Sequence, residues 1–479
     1  MKKKVLIIGS GIGGSGIGAL LSNTNEFEVE IFEQNSLIGG RYSTYEKDGW
    51  KLDIGCHLVA NCENGTIGQI FKKIGRPDAV KWSYSRNPTP KFFYIDHFLL
   101  FPRELTGLEI TAEDLKNLLK LMKRLNQFTD NELVELEHQR IDMRAFLSDY
   151  TDNMKVLSLF SFFAGLYFVI PDFVTPASEW IRCQRDILNY KTSGYPMGGT
   201  ISIPKAFCDY VKDKGGKVHT NKKVKKIIIE NDKAIGIETE DGKIEGDLII
   251  SNAGVKATVL NLIGKQFFNE NFVKKIKSYD YSLATIQTKI ALDKEISSEK
   301  MIMFVGQEIA LDEWYVKAFE EKNFIEFLEE LDYHPVLFIP IVSNLDPSLA
   351  PEGKQLIIAG GGCPTPSQGF NNDKYKKKME EAIINSLERI YPDIREHILW
   401  TETTTPEDIN NLFYKDGTVV GIGQTVNQIG INRPSHELPP LENVYCCCAD
   451  TGTTGIGGEL AANSALELFS KIIKNSLKS

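Results

Sequence analysis

The run Val5-Leu6-Ile7-Ile8 ends in Gly9-Ser10-Gly11-Ile12-Gly13-Gly14, with Gly18 four residues further on. A short, continuously apolar run fits a parallel strand buried on both faces. The small residues from about Gly13 to Ser22 predict a helix, and Val29 to Glu33 a second strand, which together make a βαβ opening. In such a turn Gly9 permits the tight bend and Gly11 lets the backbone approach a pyrophosphate. Gly14 and Gly18 let the helix lie close to the strand. The helix N-terminus, at Ile12 and Gly13, offers free N–H groups and a positive dipole to phosphates. Glu33 follows Gly14 by 19 residues, where a carboxylate accepts hydrogen bonds from an adenosine ribose. Glycines alone would be weak evidence. The strand before them, the helix after them and the acid at this distance make a dinucleotide site.

Other segments separate FAD from NAD. Gly39-Gly40-Arg41 lets the chain pass beside a cofactor, and the planar fork of Arg41 suits a phosphate. Near the end, Val444 to Asp450 reads as an apolar strand ending in an acid, followed by Thr451-Gly452-Thr453-Thr454-Gly455-Ile456-Gly457-Gly458. Asp450 can hold a ribityl hydroxyl, and the N–H groups of the turn through Gly457 can face the flavin O2 edge. A loop merely capped by Asp450 would read the same way. Between them, Lys217 to Ile250 is strand-rich, with turns at 231–233 and 241–243. It leads to Ser251-Asn252-Ala253-Gly254, and the backbone of Val224 can pair with an adenine edge.

The 479 residues, 42% of them hydrophobic, are too many for one compact domain and predict two. A net charge of −9 argues against a nucleic-acid partner. Eight cysteines, three of them consecutive at 446–448, lack zinc spacing and read as buried, reduced thiols of a cytoplasmic protein. No metal site is expected. Lys2-Lys3-Lys4 before an apolar run superficially suggests a signal peptide, but glycines break the run. No apolar stretch reaches the ~18 residues of a spanning helix. Val156 to Ile170 comes nearest, at 15 residues, and reads equally as a buried core helix or as a lipid-tunnel wall. The chain from about 105 to 190 is mostly helical, with Leu115, Leu118, Leu119, Met122 and Leu125 at helical spacing behind an N-cap at Thr111. Ile357 to Gly362 imitates a second dinucleotide turn, but Pro364 and Pro366 forbid the helix that must follow, so it reads as a strand. Ala461 to Ile473 reads as a closing helix.

Taken together, these residues resemble the phytoene desaturase, carotenoid isomerase and retinol saturase-like flavoproteins of the amine oxidase superfamily. The resemblance rests on the glycine fingerprint, Glu33, Gly39-Gly40-Arg41, Asp53-Ile54-Gly55, Tyr195-Pro196-Met197-Gly198-Gly199, Val224, Ser251-Asn252-Ala253, Gln428, Arg433-Pro434 and the segment ending at Asp450 with its glycine turn. It implies an α/β, doubly wound, Rossmann-like FAD domain of the glutathione reductase type, with an inserted α+β substrate domain. The expected division is 1–80, 195–265 and 415–479 for FAD, and 81–194 and 266–414 for substrate. It also implies non-covalent FAD, two-electron chemistry at flavin N5, and a hydrophobic substrate such as an isoprenoid or polyene lipid, with peripheral membrane contact compatible with that substrate. Cys56-His57 after Asp-x-Gly departs from the carotenoid desaturases.

Two rivals share the fold: a flavin amine oxidase, and a non-enzymatic prenyl carrier like the Rab GDP-dissociation inhibitors. The intact glycine set, including Gly457, argues against the carrier. The sequence names no catalytic residue. His57 reads as a structural histidine or a proton donor, and Asp172, Glu179, Arg182, Arg185 and Asp186 read chiefly as a solvated helix face.

Overall fold

The computed structural model describes residues 2–55, 57–85, 91–105, 107–307, 329–368 and 373–476. A five-stranded sheet organises the cofactor side. Its order is Val444–Cys446, Leu248–Ser251, Lys3–Ile8, Phe27–Phe32, Lys217–His219, and every pairing is parallel. Lys3–Ile8 is central, and side chains alternate across its faces. Val5 and Ile7 enter one apolar core with Ile17 and Ala465. Leu6 and Ile8 enter a second, with Ile249 and Val259. That double burial is why the run carries no polar residue.

The helix Ile12–Asn23 lies on the first face, held against the sheet by Gly18. A Cβ there would sit 3.1 Å from Ile31 and 3.2 Å from Ile7. The closing helix Gly458–Ser476 packs beside it. An antiparallel meander of Lys226–Glu230, Lys233–Thr239 and Gly242–Glu245 feeds back into the sheet. Its first turn carries Asn231 and Asp232 at positive φ, as the sequence predicts.

A seven-stranded mixed sheet forms the other half, in the order Ile398–Thr404, Ala284–Leu292, Gln355–Cys363, Val336–Pro340, Met301–Val305, Lys91–Tyr94, His97–Leu100. The glycines at 360–362 lie inside Gln355–Cys363, paired with Ala284–Leu292, so they form a strand and not a phosphate turn. Five helices, Ala112–Leu125, Asp130–His138, Met143–Ser148, Met154–Tyr167 and Ala177–Tyr190, pack nearby. Thr111 caps the first, exchanging hydrogen bonds with Asp114. Its inward face is Leu118, Leu121 and Leu125, while Leu115 and Leu119 stay 44% and 64% exposed.

Met154–Tyr167 is fixed by rings. Phe160 meets Phe101 and Trp180 edge-on, and Phe162 meets Phe92. Such pairs add about 1 kcal/mol each beyond their buried area. The charges that follow are not the solvated face expected. Asp172 is fully buried and takes both a 2.5 Å and a 2.9 Å bond from Arg144. Glu179 is buried against Arg182, while Arg185 reaches Asp130. Ala177–Tyr190 lies between other helices, so these groups are paired instead of hydrated.

Candidate active site

Three glycine segments meet at the C-terminal edge of the parallel sheet, where open α/β folds place their ligands. Gly9 turns the chain at φ +92°. Glu33 sits just past its strand and anchors that turn, accepting from Ser10 N–H (3.0 Å), Ser10 Oγ (2.7 Å) and Asn35 N–H (3.0 Å). The Ser10 hydroxyl in turn accepts from Gly39 N–H at 3.0 Å. The far end of the chain closes on the same point. Cys447 N–H donates to Ser251 O at 2.8 Å, Asn252 Nδ2 donates to Cys447 O at 2.6 Å, and Cys447 Sγ lies 3.4 Å from Gly13 O.

The glycines divide into two groups. A Cβ on Gly11 would lie 2.6 Å from Asn252 Oδ1, and one on Gly13 2.7 Å from both Asn252 and Cys447 O. These two are small so that the converging turns can touch. Gly14 is crowded by the Gly9 carbonyl. Gly457 has nothing within 4 Å of its missing Cβ, and Gly40 has only Gly11 Cα, at 3.8 Å. These positions border open space.

That space is a cavity of about 670 Å³. Gly9, Gly11, Ile12, Gly13 and Glu33 form its first wall. Gly39, Gly40 and Arg41 form the next, and Val224, Asn252 and Gly457 complete the polar end. Two expected residues stand elsewhere. Gly14 is inside the turn. Asp450, expected at a ribityl hydroxyl, is not on the wall; it accepts from Val255 N–H (2.9 Å), Ile422 N–H (3.0 Å) and Lys415 Nζ (3.2 Å). Burial alone would raise its carboxyl, but Lys415 and the two N–H groups hold it below the usual carboxylate range. Asp450 is a clasp between three segments.

Arg433 is a second clasp. Its guanidinium is buried without an ion-pair partner in contact, and it donates to the carbonyls of Gly423, Ile422, Gln428, Ala449 and Gly452. Burial pulls its pKa down to about 10. The three consecutive thiols are buried and pushed up, Cys448 to about 11, in keeping with inert cysteines.

Beyond the glycines the cavity turns apolar. Phe162, Leu166, Tyr167 and Val169 face it from the aromatic helix and the turn after it. Met301, Met303, Val336 and Phe338 face it from the seven-stranded sheet. The stretch from Val156 to Ile170 is therefore core on one side and cavity wall on the other. At the junction His57, already singled out in the sequence, meets a partner that sequence reading missed, Gln287: Nε2 and Oε1 lie 2.6 Å apart. Gln287 and Lys289 are polar interruptions of the apolar strand Ala284–Leu292, a signal that was available. Lys415, Val420 and Tyr42 also line the cavity and carried no such mark.

The polar end fits a dinucleotide. The helix Ile12–Asn23 begins at Gly11 without any side-chain cap, so its first N–H groups are left for a ligand. Arg41 is half-buried on the wall, its buried Nε has no hydrogen-bond partner, and its Nη1 reaches Val420 O only at 3.5 Å. A cation left so is a site for an anion. The sequence profile described as flavin containing amine oxidoreductase matches residues 19–286. The chain belongs to that family. It is an FAD-dependent oxidoreductase.

Prolycopene isomerase of Arabidopsis thaliana is 23% identical, over 92% of this chain and 78% of that one. A 4,4'-diapophytoene desaturase of Methylomonas sp. is also 23% identical, over 92% and 90%. Among solved structures, an oxidoreductase from Methanosarcina mazei superposes with a TM-score of 0.71 at 20% identity, over 98% of this chain and all of that one. Among the described residues no helix is long and apolar enough to cross a membrane, and no cluster of side chains suits a metal ion.

Proposed function

We propose that this flavoprotein carries out two-electron chemistry on a C–C or C=C bond of a hydrophobic isoprenoid or polyene lipid, by desaturation, saturation or isomerisation. One observation carries the reading: the glycine cradle and the aromatic chamber are a single continuous cavity, so an apolar chain can lie against a cofactor held in the cradle. The names of the two curated relatives support it. Bound there, FAD supplies the hydride chemistry.

Gly9, Gly11, Ile12 and Gly13 would offer backbone to the pyrophosphate, and Arg41 its unpartnered Nε. Glu33 would meet the adenosine ribose and Val224 the adenine. Gly39 and Gly40 leave room for the cofactor beside Asn252, and Gly457 borders the flavin edge. In this reading 1–80, 195–265 and 415–479 hold FAD, while 81–194 and 266–414 hold substrate. The rest of the chain's work is exclusion of water: phenylalanine, leucine and methionine walls surround the reacting bond.

The same reading places the protein on the cytoplasmic face of a membrane. Leu115 and Leu119 are exposed beside Lys116, Lys120 and Lys123, a leucine stripe with a basic flank on a chain of net charge −9. That pattern suits an anionic lipid surface.

The test is anaerobic. The purified yellow protein is mixed in detergent with acyclic polyenes and, separately, with an amine panel. Bleaching of the flavin band by a polyene and not by amines is expected. Rapid bleaching by amines, with peroxide on readmission of air, would overturn the proposal.

A further inference from the structure

The cavity is bordered by one stretch of backbone that neither the glycines nor the acids account for. After the helix Pro406–Phe413, Tyr414, Lys415 and Asp416 follow one another at φ of +60°, +58° and +56°. Tyr414 combines its φ with a ψ of −147°, a corner of backbone space where almost only glycine is found. A tyrosine stays there only if its surroundings hold it. Gln34 Nε2 and Asn35 Nδ2 both donate to the carbonyl of Leu412, at 2.7 and 3.2 Å. Lys415 Nζ donates to Asp450 at 3.2 Å, and Ser367 N–H donates to Asp416 Oδ1 at 2.9 Å. Gly417 folds so closely on the Pro406 carbonyl that a Cβ has no room.

These anchors fix the position of one ring. Among the described residues, Tyr414 is the single exposed phenylalanine or tyrosine on the cavity wall, at 41%. It is set at a mouth instead of being packed, and its neighbours tell which mouth. Gln34, which ties down the turn, directly follows Glu33, and both line the cavity. Lys223 directly precedes Val224, and its Nζ stands over the Tyr414 ring, 5.7 Å from the centre. The ring thus lies between the chain neighbours of the two residues read as meeting a ribose and an adenine. A purine has a polar edge and a flat apolar face. Backbone at Val224 serves the edge, and an aromatic ring serves the face.

Resting on the reading that the glycine cradle holds FAD with its adenine beside Val224, we propose that Tyr414 is the residue that stacks on the adenine. Its ring covers the base from outside, and the turn 414–417 is the fixture that keeps it there. This wall follows directly on Pro406–Phe413, a helix of the part read as holding substrate, so that half of the molecule also closes the cofactor site. The consequence is selectivity for the whole dinucleotide. FMN lacks the adenosine end and gains nothing from Tyr414.

Titrating the deflavinated full-length chain with FAD and, separately, with FMN tests this by flavin fluorescence. Wild type should bind FAD more tightly than FMN. Tyr414→Phe keeps the ring face and should match wild type within about twofold. Tyr414→Ala and Tyr414→Gly should bind FAD about fivefold to a hundredfold more weakly, the range for one base on one ring, with FMN affinity unchanged. Glycine also relaxes the backbone at this φ and ψ, so Tyr414→Gly should melt no lower than wild type and stays informative even if Tyr414→Ala folds poorly. An FAD loss under about fivefold in Tyr414→Gly, with the preference for FAD kept, overturns the proposal alone. Equal losses for FAD and FMN overturn it too, because the ring then acts through the fold and not on the base. If wild type binds FAD no more tightly than FMN, the adenosine end is not held at all, and the cradle reading fails together with the proposal.

Discussion

At the scale of single residues, two buried cations do opposite things. Arg433 spends every N–H on a backbone carbonyl, joining 422–428 to 449–452. Arg433→Met would strand those carbonyls, and a loss of about 3 kcal/mol or more is expected, read as a lower denaturant midpoint with early flavin release. An unchanged midpoint would remove Arg433 from the account.

Lys289 is 1% exposed, and burial pushes its pKa down to about 8. The unfolded chain then binds more protons between about 8 and 10.5, so this residue's contribution to stability rises with pH across that window. Lys289→Met should melt higher than wild type at pH 7.5, and the gap should shrink by pH 10. A gap that is constant with pH would mean that the buried charge costs nothing.

The residue scale also shows what a sequence cannot reveal. Glu33, Arg41 and the glycines are legible because backbone geometry and phosphate chemistry allow few other residue types. Asp450 left two readings open, because an acid after a strand looks the same whether it faces a ligand or clasps Val255, Ile422 and Lys415. Its partners are 28, 35 and 195 residues away, and nothing local announces them.

At the scale of elements, the periodic ones read well. Lys3–Ile8, Ile12–Asn23 and Phe27–Phe32 fall within a residue or two of expectation. The Thr111 cap appears with its Asp114 partner, and the prolines after Cys363 correctly mark a strand. Helical spacing marked Ala112–Leu125 correctly as a helix but did not say which leucines turn inward: Leu118, Leu121 and Leu125 are buried, whereas Leu115 and Leu119 are exposed. The outward leucines give a prediction. In flotation assays the protein should rise with vesicles containing anionic lipid and not with neutral ones. Leu115→Ser with Leu119→Ser should abolish this, and Lys116→Gln with Lys120→Gln should weaken it by about fivefold per charge. A dimer formed through this helix, lost in the leucine variant, would contradict lipid docking.

At the scale of the molecule, the architecture is a parallel sheet that gathers chain from residues 3–8, 27–32, 217–219, 248–251 and 444–446 and delivers their turns to one cavity. The seven-stranded sheet and the aromatic helix close the other end. Which strand of the second sheet would carry Gln287 to His57 was not legible, because that contact spans 230 residues and depends on how the two sheets meet. The central claim is that both ends of the chain build one FAD cradle.

Gly457 tests it with little cost in packing, since a Cβ there would meet no protein atom within 4 Å. Its φ of +52° adds about 1–2 kcal/mol of strain for a larger residue. FAD titration of apoprotein by flavin fluorescence should therefore show Gly457→Leu binding at least tenfold more weakly than wild type, while the apoproteins melt within a few degrees of one another. Equal FAD affinity in the two proteins would mean that the cofactor is not held between these turns.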